Sequence, residues 1–389
     1  MKKLIIGLVV LSAGVAMLCV LFSLKTVVAA GPAEYECLNY WDFSSPSGFG
    51  IDKSDNLWIA ESDTKVLQIL HPLSGIKNDW QCTNDPNNPS EAFYNPFDVA
   101  VDYAAGNVFF TAMYPKQTGK KKFRLIKANS KGDYQWEAVI STDYSPKNIA
   151  LDNKDLNIYM IGISELNGKG ERILRLNAKT GEQEYPWNSI NWGGWNAGKD
   201  FLINATGIAA DDTYKKLIYV VDQLAKDNSE KCIRVFKTES PGEKHTLKFS
   251  GNPPTKSKGI ELDSAGTIYM IDGGKSEMLK IVRDSIPDAD GFITPIKRYK
   301  LDKKFKEATD LVVTGGTDDD NLTIFVLDRP DNKIYKFVHY TKMPGFKPIL
   351  EIQTKPIVKD PQLGPISPKS FTIPKYPPST LKRKKSDKN

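Results

Sequence analysis

Six positions spaced about fifty residues apart carry the side chains best suited to chemistry in this chain: Gly48, Asp98, Asn148, Gly207, Gly259 and Asp310. Each opens a short apolar stretch. Asp98, Asn148 and Asp310 offer two carboxylates and an amide, the hard oxygen donors that a calcium ion takes. Glu261, two residues beyond Gly259 and so on the same face of an extended strand, is a further candidate ligand. An ion held there would polarise a carbonyl and steady the oxyanion formed in ester or lactone hydrolysis. The glycines at the other three positions argue instead for a plain polar lining.

Two further acidic series run through the chain. Asp52, Asp102, Asp152, Asp211 and Asp263 close the first apolar stretch of their units, and Glu61, Asp222, Asp272 and Asp328 close the second. A short carboxylate at a tight connection accepts hydrogen bonds from nearby backbone amides, so both series are expected to be turn residues rather than ligands. His71, His245 and His339 are the whole histidine supply and follow or precede outer stretches, which leaves no set converging as zinc requires. Trp187, Trp192 and Trp195 lie close together among glycines in the longest interval between units. They predict a loop whose flat ring faces suit a glycan or another ring-containing ligand, or else fill a gap beneath a displaced strand.

These residues act together only if the fold gathers them round one axis. In every unit an alternating stretch, such as Phe49/Ile51, Val99/Val101 and Ile149/Leu151, passes through an acidic turn into a second apolar strand and then a third. One small sheet cannot bury both faces and must stack on its neighbours, so residues 36–354 predict an all-β, six-bladed β-propeller with four-stranded antiparallel blades. The small residues of the opposite parity, Ala100, Ala150 and Ala209, allow the neighbouring sheet to come close. Residues 37–43 stand where an outer strand precedes each other unit, and are expected to close the ring on the last blade. Residues 349–352 compete for that edge or add a strand.

The unit formed by Gly207 to Asp211, Ile218 to Asp222 and Lys231 to Val235 resembles the NHL repeat, and the likeness extends over about residues 46–340. It implies the propeller but no one activity, since such repeats serve enzymes and binding proteins alike. Ala112, Gly162 and Thr314 depart from the acids that the repeat expects. Calcium-dependent lactonases and arylesterases of six-bladed form build their site at the central channel, which by resemblance points to Asp98, Asn148 and Asp310. Residues 55–59, the chain length and the basic tail resemble, more faintly, the yellow and royal jelly group, implying a small-ligand carrier.

The formal charge of +6 is concentrated at the ends. Lys2, Lys3 and Lys25 lie in the leader, and residues 355–389 hold nine Lys or Arg against two Asp, so the ring itself is mildly acidic and carries no footprint for nucleic acid. Residues 1–30 read as a signal peptide or an uncleaved signal anchor, with the rest of the chain outside the cytoplasm. Residues 355–389 read as a disordered Pro/Lys-rich tail. In an exported chain Cys37 and Cys82, which flank the first blade, are expected to form a disulfide, with Cys232 packed as an apolar residue. Asn204 and Asn321 fit the glycosylation pattern. The function expected is that of an exported, monomeric, non-catalytic platform for an extracellular protein, glycan or small ligand. The alternatives are the calcium-dependent hydrolase and the yellow-like carrier.

Overall fold

Alternation along the first strand of each unit gives one face to the preceding blade and the other to the next, and the ring follows from that. The computed structural model describes residues 33–339 except 64–66, 81–93, 115–121, 132, 141–143, 165–169, 184–201, 212–215, 226–227, 239–243, 283–284, 288 and 317. The leader, the Pro/Lys-rich tail, Cys82 and the three loop tryptophans lie outside the described residues. Strand β1 (Tyr35–Asp42) precedes blade one, which is β2 (Pro46–Ile51), β3 (Leu57–Glu61), β4 (Leu67–His71) and β5 (Ile76–Trp80). Blade two is β6 (Tyr94–Val101), β7 (Val108–Tyr114), β8 (Lys122–Ala128) and β9 (Tyr134–Val139). Blade three is β10 (Tyr144–Asp152), β11 (Asn157–Ser164) and β12 (Gly170–Asn177), three strands among the described residues. Blade four is β13 (Gly207–Ala210), β14 (Leu217–Ala225), β15 (Asn228–Lys237) and β16 (Lys244–Phe249).

Blade five begins with β17 (Ile260–Leu262), β18 (Ile268–Asp272) and β19 (Glu277–Ile281). The chain then crosses to blade four, where β20 (Gly291–Ile293) pairs in parallel with β16, before β21 (Lys297–Lys300) completes blade five. That fifth strand was not foreseen from the repeat. Blade six is β22 (Ala308–Thr314), β23 (Thr323–Asp328) and β24 (Lys333–His339), and β1 pairs antiparallel with β24 as its outermost strand. The N-terminal strand therefore closes the ring, tying the two ends of the propeller into a single sheet and covering an edge that would otherwise be open.

Six apolar clusters, one at each blade interface, hold the ring. Trp58, Trp80, Val99 and Phe110 join blades one and two, with the Trp58 and Trp80 rings edge to face at 5.1 Å. Ala100 and Ile149 meet between blades two and three, and Ala150 and Ile208 between three and four. Trp41, Phe49, Val312 and Phe325 seal blade six to blade one. The small side chain of one inner strand thus receives the branched or aromatic side chain of the next, as the parity pattern predicts.

Cys37, on the outermost strand of blade six, is a free thiol, so the bridge expected from it to Cys82 is not present. Its Sγ lies 3.5 Å from the Asn39 carbonyl, and burial raises its pKa to about 11. Cys37 sits in the closing strand β1, paired with β24 of blade six. Cys232 is a buried free thiol, as expected.

The inner strands approach most closely at Gly48. A Cβ there would collide with the Asp98 carboxylate, whereas one at Gly50 would lie 3.2 Å from Val101 Cγ2. Gly48→Ala is therefore expected to cost about 2 kcal/mol through overpacking, and Gly50→Ala less than half as much. Urea denaturation of both variants checks the order, and a Gly48→Ala protein as stable as wild type would remove the close-approach account.

Candidate functional site

The six inner strands β2, β6, β10, β13, β17 and β22 wall a central channel of about 460 Å³. It is lined mostly by Val, Ile, Leu, Ala and Gly, a consequence of the apolar alternation that builds the blade interfaces. At one level lie the repeat positions of Gly48 and its five counterparts, of which Asp98, Asn148 and Asp310 all line the cavity. The far end is formed by turns after the inner strands and includes Tyr103, Asn153, Ser264 and Gly316.

Asp98 is 4% exposed, and its carboxylate spans two blades. Oδ1 accepts the Val99 N–H of its own strand at 2.9 Å, and Oδ2 accepts the Ile149 N–H of blade three at 2.8 Å. The Asn148 side chain also donates to it. Asp310 repeats the arrangement. Its Oδ1 accepts the Leu311 N–H at 2.9 Å, and the Phe49 N–H of blade one donates to the same carboxylate. Each acid therefore clips its own inner strand to the next one round the ring.

Gly48 and Gly259 make this possible. Gly48 stands where the Asp98 carboxylate needs room, and a Cβ on Gly259 would come within 2.8 Å of Asp310 Cα. In both cases the glycine belongs to the blade just before the acid. Two of the three glycines that counted against a site in the sequence are thus the complement of the acids on the next blade, while Gly207 instead makes room for the Lys258 carbonyl. Their common repeat position was the available signal.

The two acids are close enough to affect each other. Burial first, and then the charge of Asp310, hold the Asp98 carboxyl well above the usual carboxylate range despite its N–H donors. Burial pushes Asp310 up to about 7 against the pull of Leu311 and Phe49. Two carboxyls enclosed by protein and facing one channel cannot both ionise without cost. Among the described residues no set of three or more His, Cys, Asp or Glu assembles in metal-ligand reach, so any cation site here needs the Asn148 amide and water as well. Glu261 lines the same channel two residues further along β17, one level removed from the acid pair.

The first acidic series behaves as expected, while the second, expected at turns as well, does not. Asp52 Oδ1 accepts the Ser54 and Asn56 N–H groups at 2.8 and 3.0 Å, and Asp102, Asp152 and Asp263 make the same turn contacts. The second series reaches back to the segment that leads into its own inner strand. Glu61 accepts the Ser44 N–H at 2.7 Å, Asp222 that of Asn204 at 2.8 Å, and Asp328 those of Lys306 and Glu307 at 2.8 and 3.0 Å. Blade three has Gly162 at that position because the Tyr144 ring occupies the space, its hydroxyl donating to the Met160 carbonyl at 2.9 Å. His71 contacts Asn56 on the outer part of blade one, and His339 packs on Tyr35. Neither lines the channel. Asn321 is exposed in a short 3-10 turn, while Asn204 is part-buried against Asp222.

No protein-family profile and no curated protein sequence matches the chain. Solved structures do. A glucose dehydrogenase aligns at a TM-score of 0.50 and 12% identity, over 78% of this chain and 99% of that one. Virginiamycin B lyase from Staphylococcus aureus aligns at 0.46 and 13%, over 78% and 99%. A PQQ-bound aldose sugar dehydrogenase from Streptomyces coelicolor aligns at 0.45 and 12%, over 79% and 99%. At such identities the likeness is one of fold. The class established is the six-bladed β-propeller; likeness to the yellow group finds no support in these structures.

The acid pair sets a pH dependence. Between about pH 4, where an ordinary aspartate ionises, and about pH 7, the folded state keeps a proton on Asp310 that the unfolded chain has lost. Stability therefore falls as pH rises through that window, and the penalty is complete above it. In metal-free buffer the melting temperature should decline from pH 5 to pH 8 more steeply for wild type than for Asp310→Asn. Thermal scans across that range check it; parallel slopes would show that Asp310 ionises normally.

Proposed function

We propose that the chain is a calcium-dependent hydrolase of small esters or lactones that works in the central channel. The observation that carries this reading is the pair of enclosed carboxylates, Asp98 and Asp310, turned toward one cavity with the Asn148 amide beside them. Their charge is held down by burial and mutual repulsion, and a divalent cation would relieve both.

The residues present fit such an ion. Every candidate donor at that level is oxygen, which suits a hard cation and not zinc or copper. Each carboxylate oxygen that accepts one N–H keeps a second lone pair. Asn148 donates its amide N–H to Asp98, which leaves the amide oxygen as the available acceptor. The cavity has room for the waters and substrate oxygens that complete a calcium shell. Calcium held there would supply Lewis-acid polarisation of a substrate carbonyl.

The chain's own residues prepare the rest. The backbone N–H groups of Val99, Ile149 and Leu311 lock the two carboxylates in place, so that no reorganisation is needed when charge develops nearby. Ile149, Ile208 and Val312 give the channel apolar walls that hold an acyl or ring portion and limit water around it. Trp187, Trp192 and Trp195, whose ring faces would serve a binding platform, lie outside the described residues.

Titration of the full chain with calcium chloride should show one site, with Asp98→Asn and Asp310→Asn each weakening it by about tenfold or more. Proton release on a panel of small lactones and aryl esters should depend on that calcium. A wild-type chain that takes up no calcium would overturn the reading, as would lactone turnover unaffected by chelation.

A further inference from the structure

At the level of the acid pair each inner strand lies opposite one residue of the second strand of its blade. Those residues are Ala60 in blade one, Ile161 in blade three, Val221 in blade four and Leu327 in blade six, and Ile271 holds the same place in blade five. Blade two has a polar side chain there, Thr111, directly opposite Asp98. Thr111 is fully buried, and its Oγ1 has no hydrogen-bond partner among the described residues.

Neither strand formation nor packing asks for that hydroxyl. A β-branched side chain suits a central strand, but Val221 supplies one at the same place in blade four with no polar atom to bury. A buried hydroxyl without a partner is a cost to the fold. Residues directly opposite on adjacent strands share a face, with Cβ atoms about 5 Å apart, so a turn about χ1 brings the Thr111 O–H to the Asp98 carboxylate. In the structure that carboxylate accepts hydrogen bonds from the Val99 and Ile149 N–H groups and from the Asn148 side chain. Of the roughly four lone-pair positions of a carboxylate, one is then left for a cation, and Thr111 has no place while Asn148 donates. Asp310 faces Leu327 and has no such donor in reserve across its blade.

We infer that Thr111 is a positioning residue of the cation site, its hydroxyl replacing the Asn148 amide at the Asp98 carboxylate when Asn148 turns its oxygen to the ion. This rests on the calcium reading above. Drawing the Asn148 oxygen to a cation takes its N–H off Asp98, and the carboxylate would lose a charge-assisted hydrogen bond just when it must hold still as a ligand. Thr111 restores that bond from the same blade, across two paired strands whose backbones do not move. The orphan hydroxyl and the double use of Asn148 thus have one explanation. A threonine where the other blades place Ala, Ile, Val or Leu is the mark of it in the repeat.

The test sets Thr111→Val, which keeps the shape and removes the hydroxyl, against Thr111→Ser, which keeps the hydroxyl and removes the methyl. In calorimetric titration of the full chain with calcium chloride, Thr111→Val should bind about tenfold more weakly than wild type and Thr111→Ser within about threefold of it. In chelator the order of melting temperatures should reverse, with Thr111→Val at or above wild type and Thr111→Ser below it, because the hydroxyl costs the fold and the methyl packs. The side-chain amide signals of Asn148, assigned by their loss in Asn148→Asp, should move when calcium is added to the wild-type chain. Calcium affinity unchanged in Thr111→Val, a serine variant as weak as the valine one, a Thr111→Val chain that melts below wild type in chelator, or unmoved Asn148 signals would each overturn the inference while leaving the calcium site standing. A wild-type chain that takes up no calcium would overturn both.

Discussion

The structure depends on how closely neighbouring inner strands approach each other round the axis. A four-stranded blade has two apolar faces and can bury them only against its neighbours, so six interfaces must close together or not at all. Near the axis the space is shortest. Gly48 and Gly259 yield it to the acid of the following blade, and the alanines of blades two to four yield it to the branched side chains beyond them. Pairing of β1 with β24 then ties the first strand to the last blade, so the ring cannot open without breaking a sheet.

The same constraint divides the acids of the repeat into three kinds. Those at the turns accept backbone N–H groups two to four residues ahead and stabilise the connection alone. Those ending the second strand reach back to the segment leading into the inner strand, fixing its approach to the axis. Only Asp98 and Asp310 reach across to the next blade, and only they meet each other's charge. Their role in holding strands together and their capacity to hold a cation come from one geometry. The carboxylates are where they are because the blades need them, and they are strained electrostatically for the same reason.

Much of this is legible in the local pattern of the chain. The period, the parity of the inner strands, the turn role of Asp52 and its counterparts, and the closing strand at residues 37–43 all follow from local spacing, and the structure bears them out. Local spacing was a poor guide where an element leaves its own blade. The excursion of β20 to blade four and the free state of Cys37 were both missed, because pairing between distant segments is decided by which edges remain open after the blades have formed. Ala112 and Gly162 looked like weakened repeats. At Gly162 the reason is a tyrosine from the preceding segment, a substitution of one contact by another that a single unit cannot show.

The ring follows from the local pattern alone, because a hydrophobic repeat of six units has one way to bury all its faces. The pattern also marks Asp98, Asn148, Asp310 and Glu261 as candidates by their place in the repeat. What these residues amount to depends on the assembled ring. Whether two carboxylates fifty or two hundred residues from their partners share a cavity, sense each other's charge and leave room for a ligand depends on the radius at which the blades meet. That radius is set by the packing of glycine, alanine and branched side chains from different blades, a many-body property that no single stretch of chain contains.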